Sequence, residues 1–346
     1  MDADADLSIQ RWTKLSLGVA IVVAALFVLL AVGPAFLPGN ILDKLTVLFI
    51  YVLLAAMWNA LAGYGGMISA GQQAFFGLGG YLAIRLSEWG IWPYPALIAA
   101  ALLAGLSALP ISAIVLRLRA GEFAIGTWII AECVRLLVNL DPIIQGDTGR
   151  SLIALSAFNA GDRRILTYSL SLVSMAVMLG VIFLLLRSRL GSSIQAIRDN
   201  EEAAASVGVR VSTAKRIIFV IAAIGCALAG ALWLATFTTF QPRSFFGIQW
   251  SAYMIFMVLV GGIGRFEGPI LGAIIFFLIE IWLGSAGVWY LIVLGFTALL
   301  FSLFLPKGIW GYIEDRFHIL LLPVGYRLQA PADSAMRGPG ETLRKA

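Results

Sequence analysis

Ten apolar runs punctuate the chain, near residues 15–33, 44–62, 66–86, 94–117, 122–141, 166–187, 215–237, 251–264, 268–284 and 288–305. Most approach the ~20 residues that cross ~30 Å of hydrocarbon as a helix. A helix satisfies its own backbone, so helices rather than open strands are the expected crossing elements. The pattern predicts an all-α, polytopic membrane protein with about ten transmembrane helices. Runs 66–86 and 251–264 are Gly-rich and are the two expected to be broken or tilted.

The longest charged interruption runs from Leu190 to Arg216. It predicts a cytoplasmic elbow with one short amphipathic helix, Ser192 to Val207. Ile194, Ile197 and Ala204 or Ala205 would form its apolar face. Gly208 would end the helix, and Lys215 and Arg216 mark the return to the membrane. Such a helix is either a plain interfacial element or the docking point for a driving partner.

Composition agrees with the pattern. Of 346 residues, 60% are hydrophobic and 12% charged, with mean hydropathy +0.94. The net charge of +5 would suggest nucleic acid in a soluble protein; here membrane-boundary charges account for it. With the N terminus inside, most of the 24 Lys and Arg fall in cytoplasmic segments, which predicts cytoplasmic N and C termini. The first run has acidic residues before it and no small-residue cleavage site after it, so it reads as a retained helix. The expected division is a cytoplasmic segment 1–14, a transmembrane domain 15–311 with the elbow at 188–214, and a partly disordered cytoplasmic tail 312–346.

Several polar residues fall inside apolar runs. Ser69, Gln72 and Gln73 bring hydrogen-bonding groups to membrane depth within a Gly-rich segment that ends at Phe76-Gly77-Leu78-Gly79-Gly80. Packing alone, or packing plus a pathway lining, explains them equally. Glu132 and Arg135 are three apart and share a helix face. Glu280 has no obvious local partner. Cys133 and Cys226 lie in separate apolar runs, and the single histidine, His318, follows the last run, which excludes zinc and Ser-His-Asp chemistry. No phosphate-binding GxxxxGK[ST] loop occurs, so the chain is not expected to be an enzyme.

Four blocks bring a family into view. They are Ile68-Ser69-Ala70-Gly71-Gln72-Gln73-Ala74-Phe75-Phe76-Gly77, Ala196-Ile197-Arg198-Asp199-Asn200-Glu201 through Gly208, Ala227-Leu228-Ala229-Gly230-Ala231-Leu232, and Val260-Gly261-Gly262-Ile263-Gly264 through Gly272-Ala273. With them the chain resembles the membrane permease subunits of bacterial branched-chain amino-acid ABC importers. The resemblance implies an inner-membrane half-transporter working by alternating access. Its partners would be a homologous second permease, two cytoplasmic ATP-binding subunits and an extracytoplasmic solute-binding protein. ATP and Mg would sit on the ATPases, and this chain would bind no cofactor and no nucleic acid.

Carried over residue by residue, the resemblance assigns Arg198, Asp199, Asn200, Glu201 and Gly208 to ATPase coupling, with the elbow's apolar face in an ATPase groove. Ser69, Gln72, Gln73, Phe76 and Gly77 become pathway candidates. Asp147, Thr148, Arg150, Arg163 and Arg164 become the rim that meets the binding protein. Gln72 stands where the family has histidine, and the outer loop reads Gly146-Asp147-Thr148-Gly149-Arg150 where the family has a TGGS-like run. These departures leave a branched-chain amino acid, urea, an amide or an organic acid open as cargo. A self-contained ion- or proton-coupled transporter using Glu132, Arg135 and Glu280 is the alternative reading.

Overall fold

Each of the ten apolar runs contains a helix in the computed structural model, which describes residues 8–10, 14–144, 146–317 and 327–329. In chain order the first helices are α1 Lys14–Val32, α2 Gly39–Asn59, α3 Gln73–Glu88, α4 Pro93–Val115, α5 Ala120–Asn139 and α6 Ala160–Arg187. The elbow follows as α7 Arg189–Asp199 and α8 Glu201–Ser206. Then come α9 Val211–Phe237, α10 Pro242–Phe245, α11 Gln249–Gly261, α12 Gly268–Leu283, α13 Val288–Phe304 and α14 Gly308–Phe317. Four short strands are β1 Ser8–Gln10, β2 Arg150–Ser151, β3 Thr239–Phe240 and β4 Arg327–Gln329.

Seven described helical segments are long and apolar enough to cross a membrane. Helices α3 and α12 have only 16 residues each, and α5 carries Glu122, Glu132 and Arg135.

Helix α2 is the centre. Every residue from Phe49 to Asn59 is buried, as expected of a helix that is apolar all round. It packs against α6, α9, α11 and α12. Beside it, α3, α4 and α9 form a close-packed trio. On α4, buried Ala96, Ala100, Ala104 and Ala108 recur every fourth residue, one small-residue stripe facing inward. In lipid, apolar surface alone does not drive helices together; close packing through small residues does. Helices α1 and α13 lie at the periphery with large apolar side chains exposed, among them Ile21, Val22, Trp289 and Phe296.

Both Gly-rich runs expected to be broken or tilted are interrupted, and the boundary expected for the tail moves. Run 66–86 is not one span: α2 ends in a π turn, Ala60–Tyr64, and α3 begins only at Gln73. Run 251–264 stops at Gly261, where Gly262 takes φ +130°. The tail expected from residue 312 starts inside α14, which Glu314 anchors by a salt bridge to Arg265. The rest of the expected tail, apart from β4, lies outside the described residues. Strand β1 pairs antiparallel with β4, which brings residues 8–10 beside residues 327–329.

Candidate functional site

The C-terminal end of α2 is where the elbow block and the glycine-rich block after α11 meet. Asn59, buried at the last position of α2, accepts from the Gly264 N–H at 2.8 Å and donates to the Arg265 carbonyl at 2.9 Å. One amide thus holds both polar groups of the glycine-rich turn after α11. A turn later, the Gly63 carbonyl accepts from Arg198 Nη1 of the elbow at 3.0 Å. Arg198 Nε and Nη2 hold the neighbouring Asp199 carboxylate at 2.9 and 2.8 Å. The guanidinium therefore spans from the elbow to the π turn. An open cleft of about 500 Å³, lined by Gly63, Arg198, Gly264, Arg265 and Glu314 among others, marks the junction.

The chain then stays irregular from Gly65 to Gln72. The segment is held from two sides. Trp58 Nε1 donates to the Ser69 carbonyl at 2.9 Å, and the Ala70 N–H donates to Thr127 Oγ1 at 3.3 Å. A Cβ on Gly71 would overlap the Thr127 carbonyl, so only glycine fits there. A π turn followed by a helix break is a common device at functional positions, because the irregular backbone can have more than one arrangement.

The five pathway candidates separate into two groups, and all five are buried within the chain in this conformation. Ser69, Gln72 and Gln73 are polar side chains buried at or just before the start of α3. Gln73 Oε1 accepts from the Ser251 hydroxyl of α11. Gln73 Nε2 and both ends of the Gln72 amide find no hydrogen-bond partner among the described residues. Phe76 and Gly77 belong instead to an aromatic cluster. Phe76 stacks on Trp250 at 4.1 Å between centroids, and Gly77 faces the Phe246 ring.

An unpartnered buried amide costs about 1–3 kcal/mol. Gln72→Leu, of similar volume, is therefore expected to keep or raise the thermal midpoint in detergent while lowering uptake. Unchanged uptake would reduce Gln72 to a space-filler.

The elbow corrects two expectations. It is two helices, not one, because Asn200 breaks the run: its backbone is extended and its side chain accepts from the Ala203 N–H at 3.0 Å, capping α8. Glu201 and Glu202 then sit in the first turn of α8, where carboxylates suit a helix N-terminus. Gly208 does take positive φ, +89°. The apolar face is not free for a groove in another protein: Ile194, Ile197 and Ala204 are buried within this chain. What the elbow presents outward is Asp199, Asn200, Glu201, Glu202, Ala203, Ala205 and Val207, the last 79% exposed. Glu201 is also tied back to Lys215 of α9 at 2.6 Å.

On the opposite face, Arg150 pairs with Glu88 at the end of α3 at 2.8 Å, and β2 pairs with β3. Thr148 is exposed beside them, and Asp147 lies in the same turn. Arg163 and Arg164 sit apart from this group near the start of α6, with Arg164 Nε donating to both carboxylate oxygens of Asp43 at 2.8 and 3.0 Å. The rim candidates thus form two clusters. Near the first, Asp141 accepts from Tyr81 Oη at 2.7 Å and pairs with Arg85. Desolvation opposes its ionisation, but the bonds from Tyr81 and the Ile143 N–H, with the Arg85 charge, outweigh that and hold the carboxyl below its usual range.

Within the membrane, Glu132 and Arg135 pair with each other through two bonds to Arg135 Nε at 2.9 and 3.0 Å. Glu280 gains the partner the sequence did not reveal: Tyr51 Oη, 229 positions away, donates to it at 2.8 Å. Asn59 was also missed, although a lone amide inside run 44–62 was a legible signal. Tyr51, in the same run, looked like ordinary apolar filling.

Comparison with known proteins adds to this geometry. The family model described as "Branched-chain amino acid transport system / permease component" matches residues 40–303. The chain is similar to the high-affinity branched-chain amino acid transport system permease protein LivM of Escherichia coli (strain K12). The two are 28% identical over 312 residues, covering 82% of this chain and 73% of that protein. The Salmonella typhimurium LivM is 27% identical over the same shares. A shorter likeness, 31% identical over 103 residues, covers 29% of this chain and 32% of the ribose import permease protein RbsC of Escherichia coli (strain K12).

Proposed function

The chain belongs to the family of branched-chain amino acid transport permease components, multi-pass proteins of the inner membrane, and from that premise we propose that it is one membrane half of an ATP-driven importer. Its partners are a second, homologous permease, two cytoplasmic ATP-binding subunits that hold ATP and Mg, and an extracytoplasmic solute-binding protein. The cargo is a branched-chain amino acid or a small polar solute like it.

The observation that carries the reading is the Arg198 junction. An exposed elbow of α7 and α8 grips, through one guanidinium, the backbone just before the helix break. Motion imposed on the elbow from outside therefore reaches the break and, through Asn59, the turn at Gly264. Alternating access needs such an element, whose two arrangements nucleotide and cargo bias differently. The ATPase meets the acidic outer surface at Asp199, Glu201 and Glu202, with Asn200 and Gly208 shaping that surface. The groups an ion path would use are already paired, Glu132 with Arg135 and Glu280 with Tyr51.

Tagged permease isolated from its own cells in mild detergent is expected to bring down ATP-binding subunits and a second permease. The complex in proteoliposomes should take up leucine only with ATP and the binding protein present. Uptake by this chain alone, driven by a proton or sodium gradient, would overturn the reading.

A further inference from the structure

The turn after α11 is gripped from two sides. On one side Asn59 holds the Gly264 N–H and the Arg265 carbonyl at 2.8 and 2.9 Å. On the other lies α14. Gly308, its first residue, takes φ +67°, and a Cβ there would overlap the backbone of Gly261 and Gly262. A Cβ on Gly262 would in turn press on the Lys307 carbonyl. A helical turn further on, Gly311 is buried, and the Arg265 guanidinium packs against the place where its Cβ would stand. That guanidinium pairs with Glu314; the two side chains are only 22% and 25% exposed. The next carboxylate, Asp315, pairs instead with Lys307 at 2.5 Å, and both of these side chains are well exposed.

We propose that Glu314 and Arg265 are positioning residues for transport, and that α14 is a second lever on the path that the elbow drives. Glu314 sets where the Arg265 guanidinium stands. Arg265 belongs to the turn that Asn59 ties to the end of α2, and α2 leads directly into the π turn Ala60–Tyr64 and the break before α3. Arg198 reaches the same π turn from the elbow, at the Gly63 carbonyl. The two levers thus act on one break through different bonds, and Arg198 and Glu314 both line the open cleft at this junction. The contact of Gly308 with Gly262 is backbone on backbone and serves as the pivot. The ion pair is the part that can change. A partly solvated pair contributes little to folding, so it can be made in one arrangement and lost in another without unfolding the bundle.

The inference deepens the reading of this chain as an ATP-driven permease and rests on it for the transport measurement alone. Glu314→Gln is compared with Asp315→Asn, the same loss of charge one residue along the same helix. In the complex reconstituted with its ATPases and binding protein, Glu314→Gln should lower leucine uptake about tenfold, within the usual range of coupling between sites, while ATP hydrolysis continues. Asp315→Asn should transport like wild type. Arg265→Gln should match Glu314→Gln, and the double variant should be no worse than either single one, because all three remove the same interaction. Arg265→Lys, which keeps the charge, should recover part of the uptake. Hydrogen exchange is then followed on the purified permease alone in phosphatidylcholine nanodiscs. The Gly264 N–H and the amides of the π turn should exchange faster in Glu314→Gln and at the wild-type rate in Asp315→Asn.

Equal exchange and equal uptake in the two variants overturn the proposal. So does hydrolysis that falls in proportion to uptake. A lowered thermal midpoint in Glu314→Gln with unchanged uptake per reconstituted protein also overturns it, because the pair would then only hold the fold together. Wild-type uptake that needs no ATP would overturn the importer reading instead, and the exchange measurement would still decide whether α14 holds the turn.

Discussion

Gly230→Leu is expected to prevent the core from assembling. Helices α3 and α9 touch backbone to backbone, and they do so twice. A Cβ on Gly230 would overlap the Phe76 carbonyl, and a Cβ on Gly79 would overlap the Ala227 carbonyl. Neither neighbour is the far end of a side chain that could swing aside, so one helix must move as a whole. Overpacking in protein cores costs about 1–3 kcal/mol and occasionally more. Substitution at Gly230 should sit at or beyond the upper end, because the displaced α9 also packs on α2 and α4.

Gly77→Leu should cost less than Gly230→Leu, since Gly77 meets the Phe246 ring, which can rotate within its cluster. Thermal midpoints in detergent, with membrane abundance, decide the matter. A Gly230→Leu protein that melts and transports like wild type would show that the two helices are not in this contact in the working protein.

Arg198→Lys is expected to uncouple the transporter while keeping its charge. The guanidinium makes three bonds in two directions, with Nε and Nη2 on Asp199 and Nη1 on the Gly63 carbonyl. A lysine ammonium is a point donor and cannot fork in this way. Because the Arg198 side chain is partly exposed, solvent competes for these bonds, so the cost to folding should be small. The cost to transport should be larger, on the order of tenfold in uptake, because the lost bond is the one that ties elbow to π turn. Uptake at equal membrane abundance is the measurement, with ATP hydrolysis by the reconstituted complex beside it. Hydrolysis that persists as uptake falls is the expected signature. Equal uptake in Arg198→Lys and wild type would sink the assignment, and the elbow would then act through its outer carboxylates alone. Glu201→Ala separates those contributions, since Glu201 lies outside the junction and reaches back only to Lys215.

The sequence by itself determined the class of the protein and the runs in which its helices lie. Apolar periodicity located a helix in each of ten runs, because crossing lipid constrains length and composition residue by residue. The elbow was visible as a charged interruption, and Gly208 as the glycine that ends it, because both are local properties of the chain. The acid pair Glu201 and Glu202 behind Asn200 was a legible helix start that would have divided the elbow correctly.

Tertiary structure decided who covers what. An amphipathic face tells that a surface is buried but not by which partner, so Ile194 and Ile197 were open to an ATPase groove until the fold placed them against their own chain. Glu280 found Tyr51, and Arg198 found Gly63, across 229 and 135 positions that no helical period connects. The closeness of Gly230 to Phe76 depends on how two helices approach, which side-chain size permits and only the packed bundle fixes.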